Sequence, residues 1–331
     1  MRKKWIRGGI FLCLVLLLLS NLNRILCVKS PHGVDQTRYL YVQPKNKIDV
    51  LFLGSSHVHC NVNTQLLWDE YGMAAYLMTG AEQPLWNSYY NLKEALKTQK
   101  PKLVVLDMFC PSRFYDDFQP GWADENLDGM RISLNKLEAV YTSVQEEQSH
   151  FFLGFTEYHS RYDQLTAEDF QNFVWNRKTQ ERWKGYTPLN RHAELTEPDM
   201  SHVTTSQEMT EKSKEYFEKI VELTKKEGIA LALISGPYLL EERDQEVYNS
   251  IGQLAEKDGL LFWNTNTPAH YREMGLDFST DYADHAHLNE AGGAKYTAYL
   301  GKWLSQNYSF PDRRGQKGYE SWENQRMKSG E

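Results

Sequence analysis

The sequence predicts an α/β fold, a three-layer sandwich around a central parallel sheet of about five strands. The chain has 331 residues, 41% of them hydrophobic, which is enough to fill one large core. Its predicted strands are continuous apolar runs, which are typical of parallel strands buried on both faces. These runs alternate with amphipathic helical patterns across short connections, as a parallel sheet requires.

The first half of this pattern is β-α-β-α-β. Residues 48–53 form the first predicted strand, which ends in the turn Gly54-Ser55-Ser56. There follow a helix over residues 63–71, a strand over 73–78, a helix over 84–98 and a strand over 103–108.

The same alternation returns near residue 205. Thr205 and Glu208 have the spacing of a capping box that opens a long helix, and Gly228 closes that helix after residue 227. The predicted core is completed by a strand over 229–235, a helix over 241–257, a strand over 260–264 and a helix over 291–305.

The predicted organisation has four consecutive parts. They are a basic end with a membrane anchor (1–29), a polar spacer (30–46), the α/β domain (47–306) and a polar, charged tail with the composition of a disordered segment (307–331). Residues 111–205 break the alternation inside the domain. We interpret them as an insertion that covers the site rather than as an independent domain.

The N-terminus predicts a single-pass membrane protein. Basic residues precede the apolar run 8–19, and this order of charges leaves the N-terminal end in the cytoplasm. No small-x-small cleavage site follows the run. We therefore expect an uncleaved anchor in the cell membrane with the remaining chain outside the cytoplasm, and a cleaved signal peptide is the alternative.

Composition narrows the class of partner and the use of cysteine. A formal charge of −7 and a pI near 5.9 argue against nucleic acid, whose partners usually carry a basic face. Cys60 and Cys110 each follow a predicted strand, so they are two buried thiols or, outside the cytoplasm, a disulfide. No Cys-x-x-Cys spacing indicates structural zinc.

Residues able to do chemistry follow the ends of the predicted strands. Ser56, Gly80 and Asp107 come at or just after three such ends, where sites in parallel sheets lie. A serine hydroxyl needs a neighbouring base, and His287 is the candidate. Asp284, three residues earlier in the same loop, could bond the other imidazole nitrogen.

These residues resemble motifs of a known family. The turn ending at Ser56 resembles the first block of the SGNH/GDSL hydrolase superfamily, and Asp284-x-x-His287 resembles its last block. With the anchor, they are most similar to the membrane-anchored branch that includes proteins of teichoic-acid D-alanylation and alginate O-acetylation. The resemblance implies a flavodoxin-like sandwich, with Ser56 as nucleophile, His287 as base and Asp284 as the residue that orients the base.

The oxyanion site departs from the family pattern. The resemblance implies backbone N–H donors at Ser56 and Gly80. The usual third block, Gly-x-Asn-Asp, is replaced by Leu106-Asp107-Met108-Phe109, so the side-chain donor is unassigned. Four polar residues are candidate contacts to the oxyanion or the substrate: Asn87, His159, Arg161 and Asp107.

The leading functional hypothesis is an extracytoplasmic serine enzyme acting on ester bonds of a cell-surface glycan or lipid-linked polymer. It would be an esterase, a deacetylase or an O-acyltransferase, and no cofactor is expected. The anchored relatives imply a membrane-bound O-acyltransferase as partner.

Two alternatives stay open. The chain could be a catalytically inactive component that binds glycan, since a fold does not guarantee chemistry. It could also bind a divalent metal, because two of its loops carry ligand-type side chains. Those side chains are His57, His59, Asp284, His285 and His287.

Overall fold

The computed structural model describes residues 2–26, 33–113, 117–118, 120–152, 158–171 and 183–323. It contains a five-stranded sheet in the order β2-β1-β3-β4-β5, with every neighbouring pair parallel. The predicted α/β fold and strand number are therefore confirmed. The strands are β1 (Val50–Gly54), β2 (Ala75–Thr79), β3 (Leu103–Asp107), β4 (Ala230–Ser235) and β5 (Leu261–Asn264).

Helices cover both faces of this sheet. The described α-helices are α1 (Arg2–Leu26), α2 (Val34–Leu40), α3 (Ser56–Asn61), α4 (Thr64–Tyr71), α5 (Leu85–Ala95), α6 (Phe109–Arg113), α7 (Ala123–Leu127), α8 (Leu134–Ser143), α9 (Ala167–Gln171), α10 (Glu211–Glu227), α11 (Glu242–Asp258), α12 (Pro268–Met274), α13 (Glu290–Asn307) and α14 (Glu320–Glu323).

Alternation along β1 shows how the two faces divide the core. Leu51 and Leu53 join the cluster formed with α5, α8, α10 and α11. Val50 and Phe52 join the opposite cluster, formed with α3, α4, α12 and α13. Successive side chains of a strand point to opposite faces, so a strand covered on both sides must be apolar at every position. This is why the buried run predicts a central strand.

The long helix after the insertion begins later than predicted. Thr210 caps α10 by accepting a hydrogen bond from the backbone N–H of Ser213, and Glu211 is the first helical residue. The spacing of Thr205 and Glu208 therefore does not mark its start. Thr205 instead donates its hydroxyl to Glu246 of α11 at 2.6 Å, which ties the preceding segment to the sandwich.

The spacer and the tail are both packed where they are described. The spacer contains α2, although its Pro and Gly residues predict little regular structure. In the tail, Arg313 donates to both carboxylate oxygens of Asp49 at 2.7 and 2.9 Å, just before β1. The fully buried Trp322 donates its indole N–H to the carbonyl of Ala75. The charged composition of the tail does not reveal these two packing contacts. The expected disorder is therefore wrong for residues 308–323.

Candidate active site

The turn after β1, which carries Ser55 and Ser56, packs closely against Asp107 at the end of β3. Gly54 has φ of +152°, and a Cβ there would lie 2.5 Å from the Cβ of Asp107, so only glycine fits. Ser55 then caps α3, its hydroxyl accepting from the backbone N–H of His57 at 3.3 Å. Ser56 is the first residue of the helix and stays partly exposed.

A compact loop before α13 presents the acid and the base. Tyr282 and Leu288 form an antiparallel bridge, and the carbonyl of His287 accepts from the backbone N–H of Ala283 at 2.9 Å. Asn289 caps α13 and fixes where the loop ends. The backbone therefore closes on itself, and this holds the imidazole of His287 in one orientation.

Ser56, His287 and Asp284 form a continuous hydrogen-bonded chain. The Nε2 atom of His287 lies 2.7 Å from the Oγ of Ser56, and its Nδ1 atom lies 2.8 Å from Oδ1 of Asp284. A carboxylate can only accept, so Nδ1 carries the proton and Nε2 is left as the acceptor facing the hydroxyl. This is the arrangement that lets an imidazole take a proton from serine.

The Asp284 carboxylate is held ionised. Partial burial alone would raise its pKa, but hydrogen bonds from the ring of His287 and the backbone N–H of Ala286, together with the charge of Arg191, lower the pKa below its ordinary value. Hence Asp284 stays an acceptor over the whole range in which a histidine titrates.

Arg191 contacts the hydrogen-bonded chain of Ser56, His287 and Asp284, and the sequence pattern did not predict this contact. Its guanidinium donates to Oδ2 of Asp284 at 2.8 Å, on the carboxylate oxygen that His287 does not use. The backbone around it runs along the loop before α13, pairing Ala193 with Tyr282 and Leu195 with Phe278. The last part of the insertion therefore packs against the loop that carries the acid and the base.

His57 lies next to the Ser56–His287–Asp284 chain, but its ring makes no hydrogen bond within the described structure. Its ring stacks on Phe109 at 3.6 Å and meets Tyr238 edge-on, and neither ring nitrogen has a partner among the described residues. Burial, with repulsion from His287 and Arg113, lowers its pKa well below the usual value. His57 thus behaves as a neutral aromatic packing residue.

The candidate metal ligands do not converge. His59 is buried, with Nδ1 lying 3.2 Å from the hydroxyl of Thr79, and His287 uses its nitrogens on Ser56 and Asp284. Across the part of the chain that the structure describes, no group of three His, Cys, Asp or Glu side chains could hold a metal ion.

Asp107 is buried beneath the serine turn. Its Oδ2 accepts from the hydroxyl of Ser55 at 3.3 Å, and backbone N–H groups of Ser55 and Phe109 also donate to its carboxylate. Burial outweighs these bonds and raises its pKa to about 7. Because the side chain is only 3% exposed, Asp107 braces the turn in this structure and offers no surface for a substrate.

Gly80 lies at the same sheet edge as Ser56. Gly54 and Thr79 are register partners on β1 and β2, so the two turns leave the sheet side by side. A Cβ on Gly80 would lie 2.3 Å from Oδ1 of Asn126 in α7, which explains the glycine. The first part of the insertion therefore packs on the turn for which an oxyanion donor is expected.

Two of the other three candidate contacts, Asn87 and Arg161, bond to partners elsewhere. Asn87 is 2% exposed, and its side-chain oxygen accepts from the hydroxyl of Ser143 at 2.6 Å, between α5 and α8. Arg161 donates to the carbonyl of Leu26 at the end of α1, and exposed His159 lies in the same helical turn, residues 159–163. A polar residue in a predicted loop does not reveal which side of the sandwich it occupies.

Both buried thiols are free. Cys60 and Cys110 form no disulfide, and burial raises the pKa of Cys60 to about 12 and that of Cys110 well above its usual value. Neither is poised to act as a nucleophile, which leaves Ser56 as the nucleophile candidate in this site.

Comparisons with known proteins report likeness to enzymes that act on esters. No protein-family model and no curated protein matches the sequence. Three solved structures are similar to it. A proposed acylhydrolase from Bacteroides fragilis has a TM-score of 0.42 and 13% identity, over 84% of this chain and 99% of that one. A catalytic mutant of an acetylxylan esterase from Geobacillus stearothermophilus has a TM-score of 0.39 and 11% identity, over 81% of this chain and 97% of that one. A proposed GDSL-like lipase from Parabacteroides merdae has a TM-score of 0.38 and 9% identity, over 80% of this chain and 98% of that one.

The chain has a doubly wound parallel fold that brings its two sequence motifs together at one edge of the sheet. Its strand order is the doubly wound order 2-1-3-4-5, with the serine turn after the first strand and the Asp-x-x-His loop before the last long helix. At the other end of the chain, one described helix, Lys3–Leu26, is long and apolar enough to cross a membrane. A signal sequence would meet the same criterion.

Proposed function

We propose that this protein is an extracytoplasmic serine enzyme that cleaves or transfers the acyl group of an ester. The observation that carries the proposal is the chain from Ser56 Oγ through His287 to Asp284, with links of 2.7 and 2.8 Å. Three side chains from two distant stretches meet with the donors and acceptors that serine catalysis needs.

The proposed mechanism has two acyl-transfer steps. Ser56 Oγ attacks the ester carbonyl carbon while Nε2 of His287 takes its proton, and Asp284 stabilises the imidazolium that forms. The backbone N–H groups of Ser56 and Gly80 would stabilise the oxyanion. His287 then protonates the leaving alcohol. In the second step, water or an acceptor hydroxyl gives its proton to His287 and attacks the acyl carbon. The bond to Ser56 Oγ then breaks, and His287 returns the proton to that oxygen.

The substrate class we propose is a cell-surface glycan or a lipid-linked polymer. Support comes from α1, which as an uncleaved anchor would hold the domain at the outer face of the cell membrane. It also comes from the resemblance of the serine turn and the Asp-x-x-His loop to the membrane-anchored SGNH branch. That resemblance further supports a membrane-bound O-acyltransferase as the partner that supplies the acyl group.

A fluorophosphonate probe tests the nucleophile directly. The wild-type protein should be labelled once, and Ser56→Ala should abolish labelling. Ser201→Ala, at an exposed serine, serves as the matched control and should label like the wild type. Absence of labelling in the folded wild type would contradict the enzyme and favour a glycan-binding component. Equal labelling of Ser56→Ala would assign the nucleophile elsewhere.

Acyl release then separates hydrolysis from transfer. Purified protein is incubated with an acetyl ester, with and without an oligosaccharide acceptor, and both acetate and acetylated sugar are measured. A hydrolase gives acetate in either case, whereas a transferase gives acetylated sugar at the expense of acetate.

A further inference from the structure

An apolar surface is left uncovered on the described part of the insertion. Helix α8 buries Ala139 and Val140 against α5, yet Leu134, Leu137 and Tyr141 are 77%, 40% and 59% exposed. Their i, i+3, i+7 spacing places them along one side of the helix. Ile132, 73% exposed, precedes them. We call these four residues the apolar stripe: Ile132, Leu134, Leu137 and Tyr141.

The stripe begins beside the outer end of the N-terminal helix. The positive charges of Arg38 and Arg131 act on Arg24, which is in the last turn of α1, so α2 and the segment before the stripe both lie near that end of the helix. Arg131 is followed directly by Ile132, the first residue of the stripe. Arg161 donates to the carbonyl of Leu26 at the same helix end, and the exposed Tyr162 follows it.

Packed contacts fix this arrangement. The Arg131 guanidinium lies 4.0 Å from the ring centre of Tyr41, and its backbone N–H donates to the Tyr41 hydroxyl at 3.1 Å. Gly129 sits directly on α2, since a Cβ there would lie 2.6 Å from atoms of Thr37 and Val34. The segment that follows the anchor is thus packed against the segment that leads into the stripe.

The anchor determines where the membrane surface lies. Arg7 and Arg24 are separated by about 26 Å of helix, close to the roughly 30 Å thickness of a hydrocarbon core. Charged side chains at helix ends reach for the headgroups, so Arg24 marks the outer headgroup level. Arg38 and Arg131 share that level, and Leu134 follows Arg131 within about 11 Å of chain.

We propose that the apolar stripe inserts into the outer interface of the bilayer that holds α1, while Arg38 and Arg131 face anionic lipid headgroups. Leucine, isoleucine and tyrosine beside arginine are the composition that such an interface favours. Arg38 pairs loosely with Asp35 at 3.9 Å, and its charge also acts on the carboxylate of Asp128. The inference rests on the uncleaved anchor of the proposed function and is independent of its chemistry.

Hydroxyl-radical footprinting of the full chain tests the proposal, because it reports the solvent exposure of individual side chains. The protein is placed in nanodiscs of anionic and zwitterionic lipid with one chain per disc, which excludes a second copy as the occupant. Leu261 on β5, 46% exposed, is the internal reference. By exposure alone, Leu134 should be oxidised faster than Leu261. Insertion should reverse that order and lower oxidation along the stripe severalfold.

Matched variants locate the contact. Leu134→Ser/Leu137→Ser should restore oxidation of Ile132 and Tyr141 in the disc, whereas Leu261→Ser should leave their protection unchanged. Arg131→Gln should weaken protection more in anionic than in zwitterionic discs.

Three results would overturn the proposal. These are oxidation of the stripe in proportion to its exposure, protection that appears only with two chains per disc, and a mature protein that lacks residues 1–26. Fluorophosphonate labelling of the same discs scores the proposed chemistry separately, so failure of one does not imply failure of the other.

Discussion

Two imidazole rings lie 5.8 Å apart beside the serine turn, and their surroundings are opposite. His287 has a hydrogen-bond partner at each nitrogen, the hydroxyl of Ser56 and the carboxylate of Asp284. His57 is closed off by Phe109 and Tyr238 and has no partner at either nitrogen among the described residues. One ring can exchange a proton, whereas the other is kept neutral.

This contrast shows that proximity to a nucleophile does not make a histidine a base. The ring needs an acceptor nitrogen facing the hydroxyl and an acid that stabilises its charged form. Asp284 supplies the second requirement at His287. At His57, burial penalises the same charge, and no carboxylate in the described part of the chain bonds to the ring. Replacing each of the two histidines by phenylalanine, and changing the residues around His287, tests this comparison.

Replacing His287 by phenylalanine should have the largest effect. It removes the proton acceptor while keeping a ring of similar size, so the acyl-transfer rate should fall on the order of 10⁶-fold, as when a triad histidine is lost. The measurement is single-turnover acetyl release from an activated ester, with thermal unfolding as the control for folding. A loss of less than tenfold would show that another group is the base.

Asp284→Asn should cost less, on the order of 10⁴-fold. The amide is nearly isosteric with the carboxylate, but it carries no charge to stabilise the imidazolium. Its NH₂ group can also force Nδ1 to accept, which turns the Nε2 proton toward Ser56. The loss should appear in kcat rather than KM. Unchanged kcat would mean that the 2.8 Å contact to His287 is only structural.

The residues of this site could not all be predicted equally well from the sequence. Ser56 and Asp284-x-x-His287 could be found because each follows or precedes a strong apolar pattern that sets its place on the sheet edge. Arg191 and Asp107 could not be assigned in this way. The contact of Arg191 depends on how a long irregular segment folds back, and a strand-end carboxylate looks the same whether it faces a substrate or braces a turn.

The same limit explains the packed tail and the uncovered stripe. Residues 312–323 are mostly polar. Arg313 and Trp322 secure them through contacts to Asp49, just before β1, and to Ala75 of β2, which no local pattern encodes. The stripe is the reverse case. Apolar periodicity cannot distinguish a helix face buried in the domain from one left exposed at residues 134, 137 and 141.

Arg191→Gln should have a modest effect that sharpens the role of the acid. The guanidinium is 65% exposed, so its contact with Asp284 contributes about 1 kcal/mol or less, and kcat should fall by less than about tenfold. Its charge is the smallest of several causes that lower the pKa of Asp284, and the others remain in the variant, so the loss should be nearly independent of pH. Arg191→Lys should recover most of the rate. A loss that lysine does not rescue would indicate a purely structural contact.

His57→Phe should change activity least, within about threefold, because its ring takes no part in proton transfer. Stability should rise by about 1 kcal/mol at pH 8, since two buried nitrogens without partners are removed. The unfolded chain binds a proton at His57 below pH about 6.5, whereas the folded protein, with its lowered pKa, does not. His57 therefore lowers the stability of the wild type as pH falls through 6.5, and His57→Phe lacks this contribution. Urea unfolding from pH 5 to 8 should show the gap widening toward acid. A constant gap, together with a large loss of kcat, would make His57 part of the proton pathway.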